Sequence, residues 1–312
     1  MKSESELPKD IEGRLDGAPR LTLTEKFIGF IDILGYSSLT KAAEEGRGLT
    51  LDDLEGVVAL LGSEKDRETH QKHGPTICPM APCIRKDMDF ELTQAWDSVV
   101  VSTEISPAGV ISLMSHCFDA CIMLLTKGVM CRGYVKKGMI YHRGNQVFGS
   151  GHVDAVAKEK NISFFKRNAD EPATPFIEVD PAVVEYVNSQ PDKCVKEMFS
   201  RMVITHDGLT AIFPIKRISH KFIIGGIGFP PFDAHKEKGT NDVVRSNIKQ
   251  LKEKLLSFVD GADASAVRKS EHYIRALDDQ LKVCDRTDEM IDALQKPVGT
   301  RGTRENLPGR FR

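Results

Sequence analysis

One apolar run, FIGFIDILGYS at residues 27–37, constrains the fold more than any other stretch of the chain. Its only charged residue is Asp32, and it ends at Gly35, just before the hydroxyl side chains of Tyr36 and Ser37. A continuous apolar run of this length predicts a strand that is buried on both faces. Burying an unpaired carboxylate costs several kcal/mol or forces the group to take up a proton. The sequence therefore predicts a partner for Asp32, and a metal ion at the strand's exit is the most economical one.

The composition of the chain limits the kinds of partner it can have. Its 312 residues are 40% hydrophobic and 28% charged, which predicts one large domain, or one domain with a helical appendage. The net charge of −2 gives no general attraction to nucleic acid or to an anionic membrane. The seven cysteines lack framework spacing, which is typical of reduced thiols. We therefore expect a cytoplasmic protein that binds neither nucleic acid nor a membrane.

Changes in composition divide the chain into four predicted parts. Residues 1–20 are polar and rich in proline and glycine, which is typical of a flexible tail. Residues 21–235 are predicted to form an α/β (α+β) domain, with a polar and cysteine-containing surface insertion at 63–86. Residues 236–296 have the periodicity of a helical extension, and the breaker-rich residues 297–312 are predicted to be disordered.

Periodicity and capping signals place the individual elements inside the domain. Helices are predicted to begin near residues 37, 50, 106, 152 and 181, with two more at 241–258 and 265–294. After the first strand, further strands are predicted at 90–95, 98–103, 131–138, 139–142, 176–179, 202–205, 209–213 and 221–224. Strands 90–95 and 98–103 read as a hairpin whose tip carries Trp96 and Asp97. A second aspartate is thus available as a partner for Asp32.

Two carboxylates from separate strands can converge on a divalent ion if the strands are adjacent. Asp32 and Asp97 offer the oxygen ligands that Mg²⁺ or Mn²⁺ prefers, and such ions bridge substrate phosphates. The backbone amides of residues 34–37, at the start of a predicted helix, are suited to hold a polyphosphate. Aspartates at strand ends are also common in proteins without a metal. Spacing alone therefore leaves a purely structural interpretation open.

The residues around the two aspartates resemble the motifs of class III nucleotidyl cyclases. The segment FIDILGYS at 30–37 is similar to the strand-exit motif of that family, and WDSVVV at 96–101 to its second aspartate motif, with Trp96 where glycine is usual. Residues 132–138 and 148–149 resemble its third block. The pieces follow the family's order over residues 25–180. The resemblance implies a ferredoxin-like, palm-type sheet with packed helices.

Departures from the family motifs point to the substrate class. The family's two base-reading positions are Thr93 and Gln146 here, a short neutral pair unlike the pairs that read adenine or guanine. A mismatched hydrogen-bonding pair discriminates strongly against the wrong base. The residue sequence at 30–37 and the predicted helical extension are similar to those of the bacterial pyrimidine cyclases of the Pycsar antiphage system. That resemblance implies conversion of UTP to cyclic UMP and pyrophosphate, for a separate cyclic-nucleotide-binding effector, with CTP as the alternative substrate.

The same resemblance implies a role for each site residue. Two divalent ions (Mn²⁺ or Mg²⁺) would be held by Asp32, Asp97 and the backbone of Ile33. The implied substrate contacts are Ile33, Leu34, Gly35, Tyr36, Ser37, Thr93, Arg132, Gln146 and Asp154. For Arg132 an ordinary ion pair is the alternative. The active unit would be a homodimer with sites at its interface, where Lys158 supplies a catalytic positive charge and Asp154 replaces the family's asparagine.

Three other interpretations accompany this one. A degenerate cyclase domain that binds nucleotide without turnover would also keep the two aspartates. A different palm-type nucleotidyltransferase, such as a diguanylate cyclase relative, is disfavoured because the chain lacks a GGDEF-like signature. His70, His73, Cys78 and Cys83 include zinc-ligand types, but their spacing matches no common zinc module.

Overall fold

The apolar run that contains Asp32 forms strand β1, Thr24–Ile33, in the middle of a mixed sheet. The computed structural model describes residues 21–74, 87–167, 171, 173–217, 232–259 and 264–295. Strand β1 pairs antiparallel with a neighbour on each side. Phe27, Ile28 and Ile31 are fully buried. The prediction of a strand buried on both faces is therefore confirmed.

The described elements make a mixed α/β structure around an eight-stranded sheet. The strands are β1, β2 (Phe90–Ala95), β3 (Ser98–Glu104), β4 (Cys131–Arg143), β5 (Gln146–Phe148), β6 (Ile177–Val179), β7 (Val203–His206) and β8 (Leu209–Ile212). The helices are α1 (Tyr36–Glu44), α2 (Leu51–Ala59), α3 (Glu64–His73), α4 (Pro107–Thr126), α5 (Ser150–Glu159), α6 (Pro181–Ser189), α7 (Lys193–Met202), α8 (Ala234–Val259) and α9 (Ala264–Gln295). The sheet order is β2-β3-β1-β4-β6-β8-β7, with β5 paired to β4. Every pair is antiparallel except β4 with β6.

The two faces of the sheet carry different layers because successive side chains of a strand alternate between faces. Phe27, Ile31 and Ile33 belong to the main core, which includes helix α4. On the other face, Ile28 and Phe30 pack in a smaller cluster with Ala155 of helix α5. Asp32 lies two residues after Phe30 in the strand, so its side chain is on this second face. The aspartate therefore lies on the side of the sheet that carries α5.

Close contact between α5 and the sheet depends on two glycines. A Cβ atom on Gly138 would lie 2.9 Å from the Cα atom of Gly151, and one on Gly151 would lie 2.5 Å from Ile28 Cδ1. The sequence predicted separate strands at 131–138 and 139–142, and this prediction is wrong because β4 is continuous. Gly138 lies inside the strand, where it admits the helix instead of ending the strand.

The far half of β4 and strand β5 form an arm that crosses the α5 face of the sheet. His142, near the end of β4, makes hydrogen bonds to Ser102 of β3 and Thr93 of β2. The main-chain oxygen of Gly144, at the arm's tip, accepts a hydrogen bond from Thr93. The arm therefore connects the middle of the sheet to its edge strand.

Part of the predicted surface insertion is a docked helix. Residues 64–73 form α3, which begins with a capping box between Ser63 and Asp66. His70 stacks on Phe90 with ring centroids 4.4 Å apart, and its Nδ1 atom lies 2.8 Å from Ser112 Oγ. Residues 75–86, which include Cys78 and Cys83 of the considered zinc set, lie outside the described residues.

Several other element predictions differ from the structure. The sequence predicted no element at 193–201, where α7 forms with Asp192 as its N-cap, and this helix also includes Met202, the first residue of the strand predicted at 202–205. Helix α8 begins at Ala234, seven residues before its predicted start at 241. The strand predicted at 221–224 and the two tails, 1–20 and 297–312, lie outside the described residues. The predicted domain boundaries stay predictions.

The two C-terminal helices pack on each other and on the core. The buried Tyr273 of α9 donates its hydroxyl proton to the main-chain oxygen of Pro175 over 2.7 Å. Asn241 of α8 is also buried and donates from Nδ2 to the main-chain oxygen of Cys284 on α9. The Tyr273 bond joins the predicted helical extension to the sheet domain, and the Asn241 bond joins its two helices to each other.

One helix in the described part of the chain, α4, has the length and composition of a membrane span. It is mostly buried inside the protein, and its residues Val110, Leu113 and Leu124 have no exposed surface. Its apolar character is therefore accounted for by its place in the core.

Candidate active site

The two predicted metal-binding aspartates meet at the exit of β1. Asp32 is the next-to-last residue of β1 and pairs with Ser98 of β3 and Arg132 of β4. Asp97 lies in the turn that joins β2 to β3 and directly precedes Ser98. The main-chain N–H of Ile33 donates to the main-chain oxygen of Asp97 over 2.9 Å. The sheet register therefore brings together two residues that are 65 positions apart in the chain.

The environment of Asp32 carries an excess of negative charge. The pKa of Asp32 is raised from its ordinary value of 3.8 to about 7, mainly by burial and also by the negative charges of Glu159 and Asp97. The positive charges of Arg132 and Lys160 act in the opposite direction. A carboxyl group in this position holds a proton near neutral pH unless a cation compensates its charge. Either a proton or a cation would compensate the charge of Asp32 in this environment.

Arg132, a predicted phosphate ligand, is engaged by a carboxylate of the same chain. Its Nε atom donates to Oε1 of Glu159, which lies at the C-terminal end of α5. The exposed fractions of the two side chains are only 17% and 3%. The ordinary ion pair, which the sequence left open as the alternative for Arg132, is what the structure contains.

Glu159 was not predicted as a site residue, although the periodicity of α5 contained a signal for it. Gly151, Ala155 and Glu159 are spaced four residues apart, so they share one face of α5. All three are buried, and that face lies on the sheet. The periodicity of the helix could therefore have placed a carboxylate above the end of β1.

The turn between β1 and α1 contains the predicted phosphate-binding backbone. Leu34 donates its N–H to the main-chain oxygen of Met130 over 2.9 Å, so that amide is already used. Gly35 has a φ of 75° and precedes α1, whose N-terminus has no side-chain cap. Tyr36 and Ser37 begin the helix, where the first N–H groups have no acceptor within the helix itself. The amides that can receive a phosphate oxygen are therefore those of residues 35–37.

The two predicted transition-state positions on α5 differ in their surroundings. Asp154 accepts a hydrogen bond from Lys136 Nζ over 2.7 Å, so its charge is neutralised within the chain. Lys158 is exposed and lies one turn further along the helix. Lys160, which the sequence analysis did not select, follows the helix and affects the charge state of Asp32. Of the two lysines, Lys160 is the one whose positive charge lowers the pKa of Asp32.

Of the two predicted base-reading residues, Thr93 lies on the edge strand β2 beneath the arm, and Gln146 lies on the arm itself. Thr93 Oγ1 donates to the main-chain oxygen of Gly144 over 2.6 Å, and His142 Nε2 lies 2.8 Å from the same hydroxyl. Because that hydroxyl proton goes to Gly144, the imidazole must be the donor to Thr93, and its Nδ1 atom accepts from Ser102. Burial lowers the pKa of His142 to about 3, which keeps this neutral tautomer.

These contacts limit what Thr93 can offer a nucleobase. Its donor is used, so only a lone pair of its hydroxyl oxygen remains. Gln146 is exposed on β5. Gln94 and Asn145, the sequence neighbours of this pair, line an open cavity of about 400 Å³, which is within the usual size of small-molecule sites. The base-reading role of Thr93 and Gln146 stays a prediction.

We expect Thr93→Val to lower the free energy of unfolding by about 1–3 kcal/mol, because it leaves His142 and the Gly144 carbonyl without a partner. Urea denaturation at pH 7 measures the change. The control is Thr69→Val, whose hydroxyl is exposed and bonds only within its own helix, and we expect a change within about 0.5 kcal/mol. Equal stability of Thr93→Val and wild type would contradict the hydrogen-bonded chain.

The donor set at the exit of β1 fits a hard divalent ion. Asp32 and Asp97 each have carboxylate oxygens to offer, and Ile33, the residue after Asp32, has a main-chain carbonyl oxygen. The described residues contain no group of three His, Cys, Asp or Glu side chains arranged to hold a metal. A metal here would therefore take its remaining ligands from substrate or water, as Mg²⁺ commonly does.

The comparisons with known proteins do not identify a relative. No family model matches the chain, and no curated protein matches it.

Proposed function

We propose that this protein is a metal-dependent nucleotide cyclase that converts UTP to 3′,5′-cyclic UMP and pyrophosphate, with CTP as the alternative substrate. The observation that carries the proposal is the convergence of Asp32 and Asp97 at the exit of β1. Two carboxylates beside an open helix N-terminus suit a metal-bound triphosphate. The cyclase-like motifs around both aspartates narrow the reaction to cyclisation.

The topology supports a palm-type, ferredoxin-like sheet for this function. The order β2-β3-β1-β4 has helices between β1 and β2 and again between β3 and β4. That arrangement corresponds to a β-α-β-β-α-β unit. Strand β1 is central in it, and its exit is the position at which the two aspartates meet.

Two divalent ions would be held by Asp32, Asp97 and the Ile33 carbonyl. When bound, they would supply positive charge to the phosphates and lower the pKa of the ribose 3′-hydroxyl. Cyclisation forms the bond from the 3′-oxygen to the α-phosphorus, breaks the bond to the leaving pyrophosphate, and releases the proton of the 3′-hydroxyl to solvent. Such a transfer depends on positioning and electrostatics, so it requires no side-chain nucleophile.

The chain's own residues have three roles in this proposal. The amides at residues 35–37 bind phosphate oxygens at the positive end of the α1 dipole. Lys160 adds positive charge close to Asp32. Glu159 holds the Arg132 side chain by an ion pair next to Asp32. The guanidinium is thereby placed to orient the triphosphate.

We also propose that the active unit is a cytoplasmic homodimer. Helix α5 carries an exposed side with Val153, which is 64% exposed, and Lys158. Phe148, at the end of the arm, is 47% exposed beside this helix. An apolar surface rimmed by charge is typical of an interface between copies. In this arrangement Lys158 of one copy serves the aspartate pair of the other, and the cyclic product is sensed by a separate effector.

A catalytically degenerate nucleotide-binding protein is the second candidate, and two contacts favour it. Arg132 is paired with Glu159, and Asp154 is paired with Lys136. Both predicted phosphate-side residues therefore have partners within the chain. Binding without turnover would agree with these pairs.

The test is incubation of the purified protein with each of the four ribonucleoside triphosphates in the presence of Mn²⁺ or Mg²⁺. We expect cyclic UMP as the dominant product, together with an equal amount of pyrophosphate. Cyclic CMP as the dominant product would select the alternative substrate. Bound nucleotide without any cyclic product would reject the cyclase in favour of the degenerate protein.

A further inference from the structure

The turn between β2 and β3 exposes the only tryptophan of the chain. Trp96 directly precedes Asp97, and 87% of its surface is exposed. No ring contact of Trp96 with another aromatic side chain occurs in the described part of the protein. A large indole in this position leaves apolar surface in water without stabilising the fold.

The backbone at Trp96 adds a second, independent observation. Its φ is 61°, in the left-handed region that glycine adopts without penalty and bulky residues rarely adopt. A glycine would therefore relax the turn and remove the exposed apolar surface at the same time. Strained residues of this kind occur preferentially at functional sites, where the strain is compensated elsewhere.

The position of Trp96 relates the indole to the aspartate pair. The Cα atoms of consecutive residues are about 3.8 Å apart across a trans peptide, and the described residues contain no cis bond. The main-chain oxygen of Asp97 is fixed by the N–H of Ile33 at the exit of β1. The backbone of Trp96 therefore lies one residue from the aspartate pair, and its indole is 87% exposed there.

We propose that Trp96 is a stacking platform for the base of the nucleotide whose triphosphate is bound at Asp32 and Asp97. This inference rests on the proposed function and adds a binding element to it. Every nucleobase has a π-face, so stacking contributes affinity and little selectivity. Selectivity is left to polar groups at the sheet edge, where Thr93 can only accept a hydrogen bond.

The experiment uses 3′-deoxy-UTP with Mn²⁺, because this nucleotide lacks the attacking hydroxyl and stays intact. We expect saturable quenching of the Trp96 fluorescence of the full-length protein. By calorimetry, Trp96→Gly should bind this nucleotide about tenfold more weakly than wild type. Trp96→Phe keeps an aromatic face and should stay within about threefold. Inorganic tripolyphosphate with Mn²⁺ should bind all three proteins equally.

Stability provides the folding control. Trp96→Gly removes the left-handed strain, so its melting temperature should equal or exceed that of wild type. A weaker nucleotide affinity in that variant then reports a lost contact and not a misfolded turn.

Three outcomes would reject the inference, and they differ in their meaning for the proposed function. Equal affinity of Trp96→Gly and wild type for 3′-deoxy-UTP rejects stacking and leaves the cyclase proposal intact. Fluorescence that changes with protein concentration but not with nucleotide assigns Trp96 to a contact between copies. Absence of binding by both nucleotide and tripolyphosphate to wild type rejects the proposed function, and the stacking role with it.

Discussion

Replacing Asp32 by asparagine should lower the turnover of UTP by at least about 10³-fold while leaving the protein folded. Asparagine keeps the size of the side chain but removes the charge that would hold a divalent ion. The neighbouring pairs of β1 with β3 and β4 are main-chain contacts, so they do not depend on the carboxylate. Loss of activity with retained structure is therefore the expected combination.

The same variant should be more stable than wild type at pH 8 in the absence of metal. The pKa of Asp32 is raised from 3.8 to about 7 by burial and by the charges of Glu159 and Asp97. The folded state then binds the proton more tightly than the unfolded chain, so the stability of wild type falls as the pH rises from about 4 to 7. If the whole shift in the pKa of Asp32 acted on folding, the free energy of unfolding would fall by about 4 kcal/mol over this pH range. Because Asp32 is only partly buried, screening by solvent reduces the expected gain to about 1–2 kcal/mol.

Urea denaturation between pH 4 and pH 8, with a chelator and then with Mn²⁺, measures this gain. The advantage of Asp32→Asn should be absent at pH 4 and complete at pH 8. Mn²⁺ should stabilise wild type but not the variant, because only the carboxylate form binds the ion. The matched control is Asp207→Asn, at an exposed turn with a φ of 49°, which should leave turnover and pH profile unchanged. A fully active Asp32→Asn protein would show that the metal assignment is wrong.

The central part of the fold was predictable because its sequence signals are local. An apolar run gives β1, a turn at Trp96 and Asp97 gives the β2–β3 hairpin, and a capping box at Thr50 begins α2. The convergence of Asp32 and Asp97 followed once the two strands were taken as neighbours. The individual elements are thus encoded in short stretches, whereas the meeting of two aspartates 65 positions apart also required the strands to be adjacent.

Other parts of the site depend on contacts that no local pattern reports. The pairing of Arg132 with Glu159 joins a strand to the end of a helix 27 residues later. The chain from Ser102 through His142 to Thr93 exists only because the β4–β5 arm crosses the sheet. Gly138 was predicted to end a strand, whereas in the structure its lack of a side chain allows the close contact with Gly151 of α5. The partners of Arg132 and Thr93 and the role of Gly138 therefore depend on long-range packing, which local sequence patterns do not report.

The ion pair between Arg132 and Glu159 carries the second large expected effect. We expect Glu159→Ala to lower the free energy of unfolding by about 3 kcal/mol, because it leaves a mostly buried guanidinium without its carboxylate. The exposed pair of Glu197 and Arg201 is the matched control. Removing the Glu197 carboxylate should change stability by less than about 0.5 kcal/mol, since both side chains of this pair are solvated.

A double variant separates the pair from the individual charges. Arg132→Met with Glu159→Leu replaces both charges by apolar side chains and should recover most of the loss, because no uncompensated charge remains. Urea denaturation of the wild type, of Arg132→Met and Glu159→Leu singly, and of the double variant gives the coupling free energy of the pair. We expect this coupling to be at least about 2 kcal/mol. A loss for Glu159→Ala as small as that for the Glu197 control would contradict the buried ion pair.

The folded double variant also tests what Arg132 does in the site. If the guanidinium only stabilises the fold, a stable protein without it should cyclise UTP at nearly the wild-type rate. If Arg132 also orients the triphosphate, the double variant should be stable but slower by about 10²-fold, while binding of Mn²⁺ is unchanged. We expect the second result, because the Arg132 guanidinium lies on the same face of the sheet as Asp32, directly across the β1–β4 pair.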